Sequence, residues 1–167
     1  MSSRRHAAIV ARLAEAGYTL PETPLPIAAY SPAVIAGSFA YTSGQLPLVN
    51  GKLALTGRVG DEEGDVSPRD AAEQAARCTL NALAALVAVL GDLSRITRVI
   101  KITGFVASSP DFTEQSSVVD GASRLLVTAF GDDGIHARSA VGVAALPKGS
   151  PVEVELVVQI ADDSPSQ

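Results

Sequence analysis

The segment Val152–Ile160 alternates without a break. Val152, Val154, Leu156, Val158 and Ile160 point one way, and Glu153, Glu155, Val157 and Gln159 point the other. A period of two is that of a β-strand. A strand with one aliphatic and one mixed face belongs to a sheet that something apolar covers on one side. Two helical segments supply the cover. Ser67-Pro68 opens one and Leu90-Gly91-Asp92 closes it; Ser109-Pro110 opens the other and Phe130-Gly131-Asp132 closes it. The openings lie 42 residues apart and the closings 40, a weak internal repeat that suggests two β-α units side by side. The second helix shows a 3.6-residue period through Phe112, Val118, Val119, Ala122, Leu125, Leu126, Ala129 and Phe130. The first is apolar nearly all round after Asn81, which predicts a buried C-terminal half with Cys78 as a small core side chain.

The remaining strands follow from turn chemistry and β-branched runs. Ala33–Ala36 and Phe39–Thr42 flank Gly37-Ser38, Asn50-Gly51 makes a second turn, and Arg98–Ala107 and Arg138–Ala145 are further strands. Pro147-Lys148-Gly149-Ser150 reads as the turn joining Arg138–Ala145 to Val152–Ile160, and Gly57–Asp65 as an exposed loop. The order is ββ(β)αβαββ: an α+β domain, a mainly antiparallel sheet with two helices on one face. Ahead of it, Ser3–Gly17 reads as a short amphipathic helix and Pro21, Pro24 and Pro26 as a linker. The chain thus divides into an N-terminal helix and Pro-rich linker (1–25), one domain (26–161) and a disordered tail (162–167).

Composition removes several classes of function. With 47% hydrophobic residues and 19% charged, the 167-residue chain is not a disordered one. A single cysteine excludes a disulfide scaffold, and a net charge of −5 makes nucleic acid a poor partner. The apolar run Cys78–Leu90, without a charge and ended by Gly91, has 13 residues, against about 20 for a membrane helix. Arg12 and Glu15 interrupt the opening apolar stretch too early for a secretory signal, so a cytoplasmic protein without membrane contact is expected. A mean hydropathy of +0.25 is high for so small a chain and points to apolar surface buried between subunits.

The common catalytic signatures are missing: no phosphate-binding or dinucleotide glycine motif, no C-x-x-C, no H-E-x-x-H, no G-x-S-x-G. His136 with Asp132 and Asp133 reads as a solvated acidic turn before a metal site, and His6 lies in a segment expected to be mobile. Ser139 and His136 lie close along one strand, in poor positions for a nucleophile-base pair. One arrangement remains. Arg138 is followed on its side of the strand by the small residues Ala140 and Gly142, which leaves room for a carboxylate held by two parallel hydrogen bonds. Glu153 and Glu155, expected on the polar face of the adjoining strand, are placed to orient a water. The plain alternative is a cross-strand ion pair on a wet face.

The stretch from His136-Ala137-Arg138-Ser139 through Leu146-Pro147 to Val152-Glu153-Val154-Glu155 resembles the C-terminal signature of the Rid (YjgF, liver perchloric-acid-soluble protein) family of imine deaminases. Tyr41-Thr42-Ser43-Gly44-Gln45-Leu46-Pro47 is similar to the family's S-G-Q-[IL]-P, and Gln74–Leu83 and Thr103-Gly104-Phe105-Val106 also fit. The likeness runs from about Leu25 to Ile160. It implies a chorismate-mutase-like fold and a homotrimer with clefts between subunits. It further implies cofactor-independent hydrolysis of 2-imino acids or their enamine tautomers to 2-keto acids and ammonia. By the same resemblance Arg138 holds the substrate carboxylate, Glu153 serves the water or imine nitrogen, and Tyr30 matches a family tyrosine of the binding site. An imine carbon is already electrophilic, so positioning does most of the work.

If the last two strands form a hairpin, Arg138 lies opposite Val157, about four residues or roughly 13 Å from Glu153 along the sheet. A neighbouring subunit is then expected to complete the cleft. Two positions depart from the family. Ala140 stands where many members carry Cys, and Asp120 where Asn is frequent. Together with the N-terminal piece and a longer 108–115 segment, they place the chain in a divergent subgroup. The competing function is a non-catalytic trimer that binds small carboxylates or acts as a chaperone-like surface. The family's RNA-cleaving activity fits poorly with a charge of −5 and no basic stripe interleaved with aromatics.

Overall fold

The computed structural model describes residues 3–22 and 29–161. Its elements are α1 (Arg4–Glu15), β1 (Ala33–Ala36), β2 (Phe39–Thr42), β3 (Leu48–Val49), β4 (Lys52–Leu53), α2 (Pro68–Leu90), β5 (Ile96–Ala107), α3 (Gln115–Phe130), β6 (Ala137–Val143) and β7 (Val152–Ile160). Five strands form one sheet in the order β1-β2-β7-β5-β6, and β3 and β4 form a separate ribbon. All pairs are antiparallel except β5 with β6. The fold is α+β, as expected.

Local signals account for most elements. Ser67 caps α2 by accepting from the Asp70 amide, with Pro68 in the first turn. Gly91 and Gly131 close α2 and α3 with φ of +85° and +62°, which an L side chain rarely adopts. Asn50 and Gly51 both take positive φ in the β3–β4 turn. The aliphatic residues of β7 are buried with Ala82, Leu83, Leu86, Val118, Leu125 and Leu126 of the two long helices, so the helices cover one face of the sheet. At Gly121 the helices touch: a Cβ there would fall 1.9 Å from the Ala72 carbonyl oxygen.

The structure corrects four expectations. First, β6 and β7 are not neighbours. β7 is paired on one side with β2 and on the other with β5, so β6 takes the outer edge of β5 in parallel register. Residues 144–151 are longer than a tight hairpin turn and have chain enough to cross β5, about 10 Å for two strand spacings. Second, Ser109-Pro110 does not open α3. The Phe112 amide donates to the Ser109 carbonyl, which makes a reverse turn with Pro at its second position, a use that the same residues favour. The helix starts at Gln115 without a side-chain cap. Third, the 57–65 loop is not wholly exposed: Val59 is buried and bridges Val66 and Ser108. Fourth, His6 is fixed, its Nδ1 accepting from the Leu93 amide. Ile9 and Leu13 sink α1 into the common core, and Arg12 donates to the Ala129 carbonyl at the end of α3. The 162–167 tail and residues 23–28 of the linker lie outside the described residues.

Candidate active site

The register of the sheet decides which side chains can meet. Arg138 on β6 is level with Ile102 on β5 and Leu156 on β7, both buried beneath the helices. Arg138 therefore stands on the helix face, at the sheet's edge. Glu153 is level with Phe105 and Val141, three positions away on each strand and hence on the other face. Arg138 and Glu153 of one chain face opposite sides of the sheet, with β5 between their strands. The two are separated within one chain, as expected, but by the sheet itself and not along a hairpin; the expectation that Arg138 shares the open face with Glu153 and Glu155 is corrected by this topology.

The guanidinium finds its partners on α3 instead. Arg138 Nη1 donates to Asp120 Oδ1 at 2.7 Å and to Ser123 Oγ at 3.3 Å. Asp120 and Ser123 lie three residues apart, on one face of the helix. Both hydrogens of Nη1 are thereby engaged, and the Nε–Nη2 edge has no partner among the described residues. That edge is the fork that receives a carboxylate through two parallel bonds. Ala140 lies on the same side as Arg138 and is half-buried against the core, level with Gly104, whose missing Cβ lets Val119 approach.

Glu153 occupies a niche of its own. A Cβ on Gly44 would fall 1.9 Å from Glu153 Oε1, so the carboxyl rests against bare backbone. Gln45 exchanges both backbone hydrogen bonds with Val154, which fixes this contact. Half-burial and, secondarily, the charge of Glu155 raise the Glu153 pKa above its ordinary value. Tyr30 is exposed at the head of a segment tied to the same place: Ser43 Oγ donates to the Ser31 carbonyl, and the Ser43 amide to that of Pro32. Glu153, Gly44 and the Tyr30 segment thus form one half of a candidate site, and Arg138, Asp120 and Ala140 form the other.

One polar pairing escaped the sequence: His136, poorly placed for Ser139 as expected, meets Ser123, whose Oγ lies 3.0 Å from Nε2. The pairing crosses from β6 to α3, and a single sequence carries no signal for that. Gly44 was visible as part of a motif, but its reason, space for a carboxyl, was not. No group of three or more His, Cys, Asp or Glu among the described residues can hold a metal. Cys78 is buried, and burial pushes its thiol well up, as suits a core side chain. No helix among the described residues is long and apolar enough to cross a membrane.

Comparison with known proteins agrees with this architecture. The family profile described as Endoribonuclease L-PSP matches residues 21–160. Protein TCP17 of Trypanosoma cruzi is 40% identical over 153 residues, which cover 91% of this chain and 94% of that protein. A 2-iminobutanoate/2-iminopropanoate deaminase of Dermatophagoides farinae is 33% identical over 141 residues, covering 84% and 92%. A crystal structure of a protein of unknown function from Agrobacterium tumefaciens matches with a TM-score of 0.86 at 46% identity, over 94% of this chain and 95% of that one.

Proposed function

The chain belongs to the endoribonuclease L-PSP (YjgF/RidA) family, and from that premise we propose that it hydrolyses a small 2-imino acid, or the enamine tautomer, to a 2-keto acid and ammonia. Some relatives carry the name of that activity at about 30% identity. The reaction proceeds in clefts between the subunits of a homotrimer, without a cofactor. Arg138 of one subunit holds the substrate carboxylate on its Nε–Nη2 edge. Glu153 of the next subunit takes a proton from the attacking water and returns it to the departing nitrogen. Tyr30 lines the cleft beside Glu153. Water adds across C=N to give a carbinolamine; its hydroxyl proton then passes to nitrogen as C=O forms, the C–N bond breaks and ammonia leaves.

The observation that carries this reading is the placement of Arg138 and Glu153 on opposite faces of one sheet. Two groups meant for one small substrate then have to come from two copies of the chain. The open sheet face supports the assembly: Val34, Tyr41 and Val141 are exposed there on three different strands. An RNA-cleaving role finds no support in a net charge of −5.

The test uses imines generated in situ by an amino-acid oxidase, with keto acid release as the readout. Arg138→Ala and Glu153→Gln are each expected to lose activity. Unfolded together and refolded as a mixture, the two variants are expected to recover about a quarter of wild-type turnover, because some clefts then receive one intact group from each chain. No recovery, or a monomer by sedimentation, would refute the shared cleft. Wild type and Arg138→Ala at equal rates would remove the enzyme.

A further inference from the structure

We propose that Ser123 and His136 are positioning residues that lock the Arg138 guanidinium so that only its Nε–Nη2 edge is left to meet a carboxylate. This role rests on the reading of Arg138 as the carboxylate-holding group, and it names what holds that group ready.

The direction of each hydrogen bond follows from chemistry. His136 Nδ1 lies 2.6 Å from the Gly134 carbonyl, which can only accept, so Nδ1 carries the proton. In the neutral ring Nε2 is then an acceptor, and the Ser123 hydroxyl 3.0 Å away donates to it. With its hydrogen committed to His136, Ser123 Oγ turns its lone pairs to Arg138 Nη1 at 3.3 Å. The chain runs one way: Arg138 to Ser123, Ser123 to His136, His136 to Gly134. Without the imidazole acceptor the Ser123 hydroxyl is free to rotate and to present its hydrogen to the guanidinium, a donor set against a donor.

Asp120 alone does not fix the guanidinium. One bond from Nη1 to a half-exposed carboxylate leaves the plane free to turn about it. The second bond, to Ser123, sets the plane. A long side chain held before the ligand arrives has less freedom to lose on binding. The effect is therefore expected in substrate affinity and KM, with kcat little changed.

Two substitutions at His136 separate this role from simple support of the 131–134 turn. His136→Asn keeps a donor near the Nδ1 position, for Gly134, and removes the acceptor that Ser123 needs. His136→Gln reaches the Nε2 position with an acceptor oxygen and gives up the bond to Gly134. We expect His136→Asn and Ser123→Ala to raise KM for the imine, and Kd for pyruvate by calorimetry, about tenfold. His136→Gln should restore most of the loss. Thermal midpoints check that all three variants fold. The reverse order, with Asn near wild type and Gln impaired, or unchanged values throughout, overturns the proposal. If wild type binds pyruvate through Arg138 but releases no keto acid from imines, the deaminase reading fails while the Kd series still decides the positioning role.

Discussion

Gly44 and Glu153 share a space that holds either a Cβ or a carboxyl, since a Cβ on Gly44 would sit 1.9 Å from Oε1. The obstacle is the free end of a side chain, which can swing aside. Gly44→Ala is therefore expected to fold with little loss of stability while the carboxyl moves by about 1 Å or more. A misplacement of that size lowers turnover on the order of 10²-fold. Thermal melting and steady-state kinetics on one preparation check both halves.

Gly121→Ala should behave in the opposite manner. The added Cβ meets the Ala72 carbonyl at 1.9 Å, and backbone cannot rotate away. The α2–α3 contact has to open, at a cost of about 3 kcal/mol, the upper end for overpacking. For a chain of this size that lowers Tm by roughly 6 to 12 °C. Scanning calorimetry gives the value.

Glu153 supplies a pH test with a definite sign. Its carboxyl is raised above the ordinary 4.5 by burial and then by Glu155. The unfolded chain ionises first as pH rises, so Glu153 favours the fold below pH 4.5 and loses that contribution as pH climbs through the higher folded value. Glu153→Gln, a neutral copy of the protonated form, should be inactive yet at least as stable as wild type at pH 7. Its advantage should vanish at pH 4. Melting curves at the two pH values decide.

Asp92 works the other way. Bonds from the Ser94 hydroxyl and the Ser94 and Ser3 amides hold its pKa at about 2, against 3.8. The stability it lends is present above pH 3.8 and fades as pH falls through about 2. Because Ser3 caps α1, acid should loosen that helix from the turn after α2. Asp92→Asn should flatten the stability profile in this window. An unchanged slope in acid titration by circular dichroism would count against the tether.

Particular residues show how far the sequence could be read. Periodicity in Val152–Ile160, the Ser67-Pro68 cap and the closing Gly91 and Gly131 are local signals, and they carried the elements and the fold class. Pairing is not local. Nothing in Ala137–Val143 says whether it lies beside β7 or beyond β5, and that choice moved Arg138 from the open face to the helix face. Ser109-Pro110 suits a helix start and a reverse turn equally; in the fold the Ser109 amide donates to the Val59 carbonyl and the Ser109 carbonyl accepts from Phe112, contacts that a single sequence does not announce. Asp120 was visible as a departure from the family, but not as the ion-pair partner of Arg138.

That ion pair has a kinetic consequence. With Asp120 at 2.7 Å, Arg138 brings its counter-ion with it, and the pair contributes almost no net charge to its surroundings. Such a centre has no far field to draw an anion across the solvent; it acts only at contact. Arg138 should accordingly add little of its own to the ionic-strength dependence of substrate capture, and discrimination should fall to the fit of the carboxylate against two N–H groups.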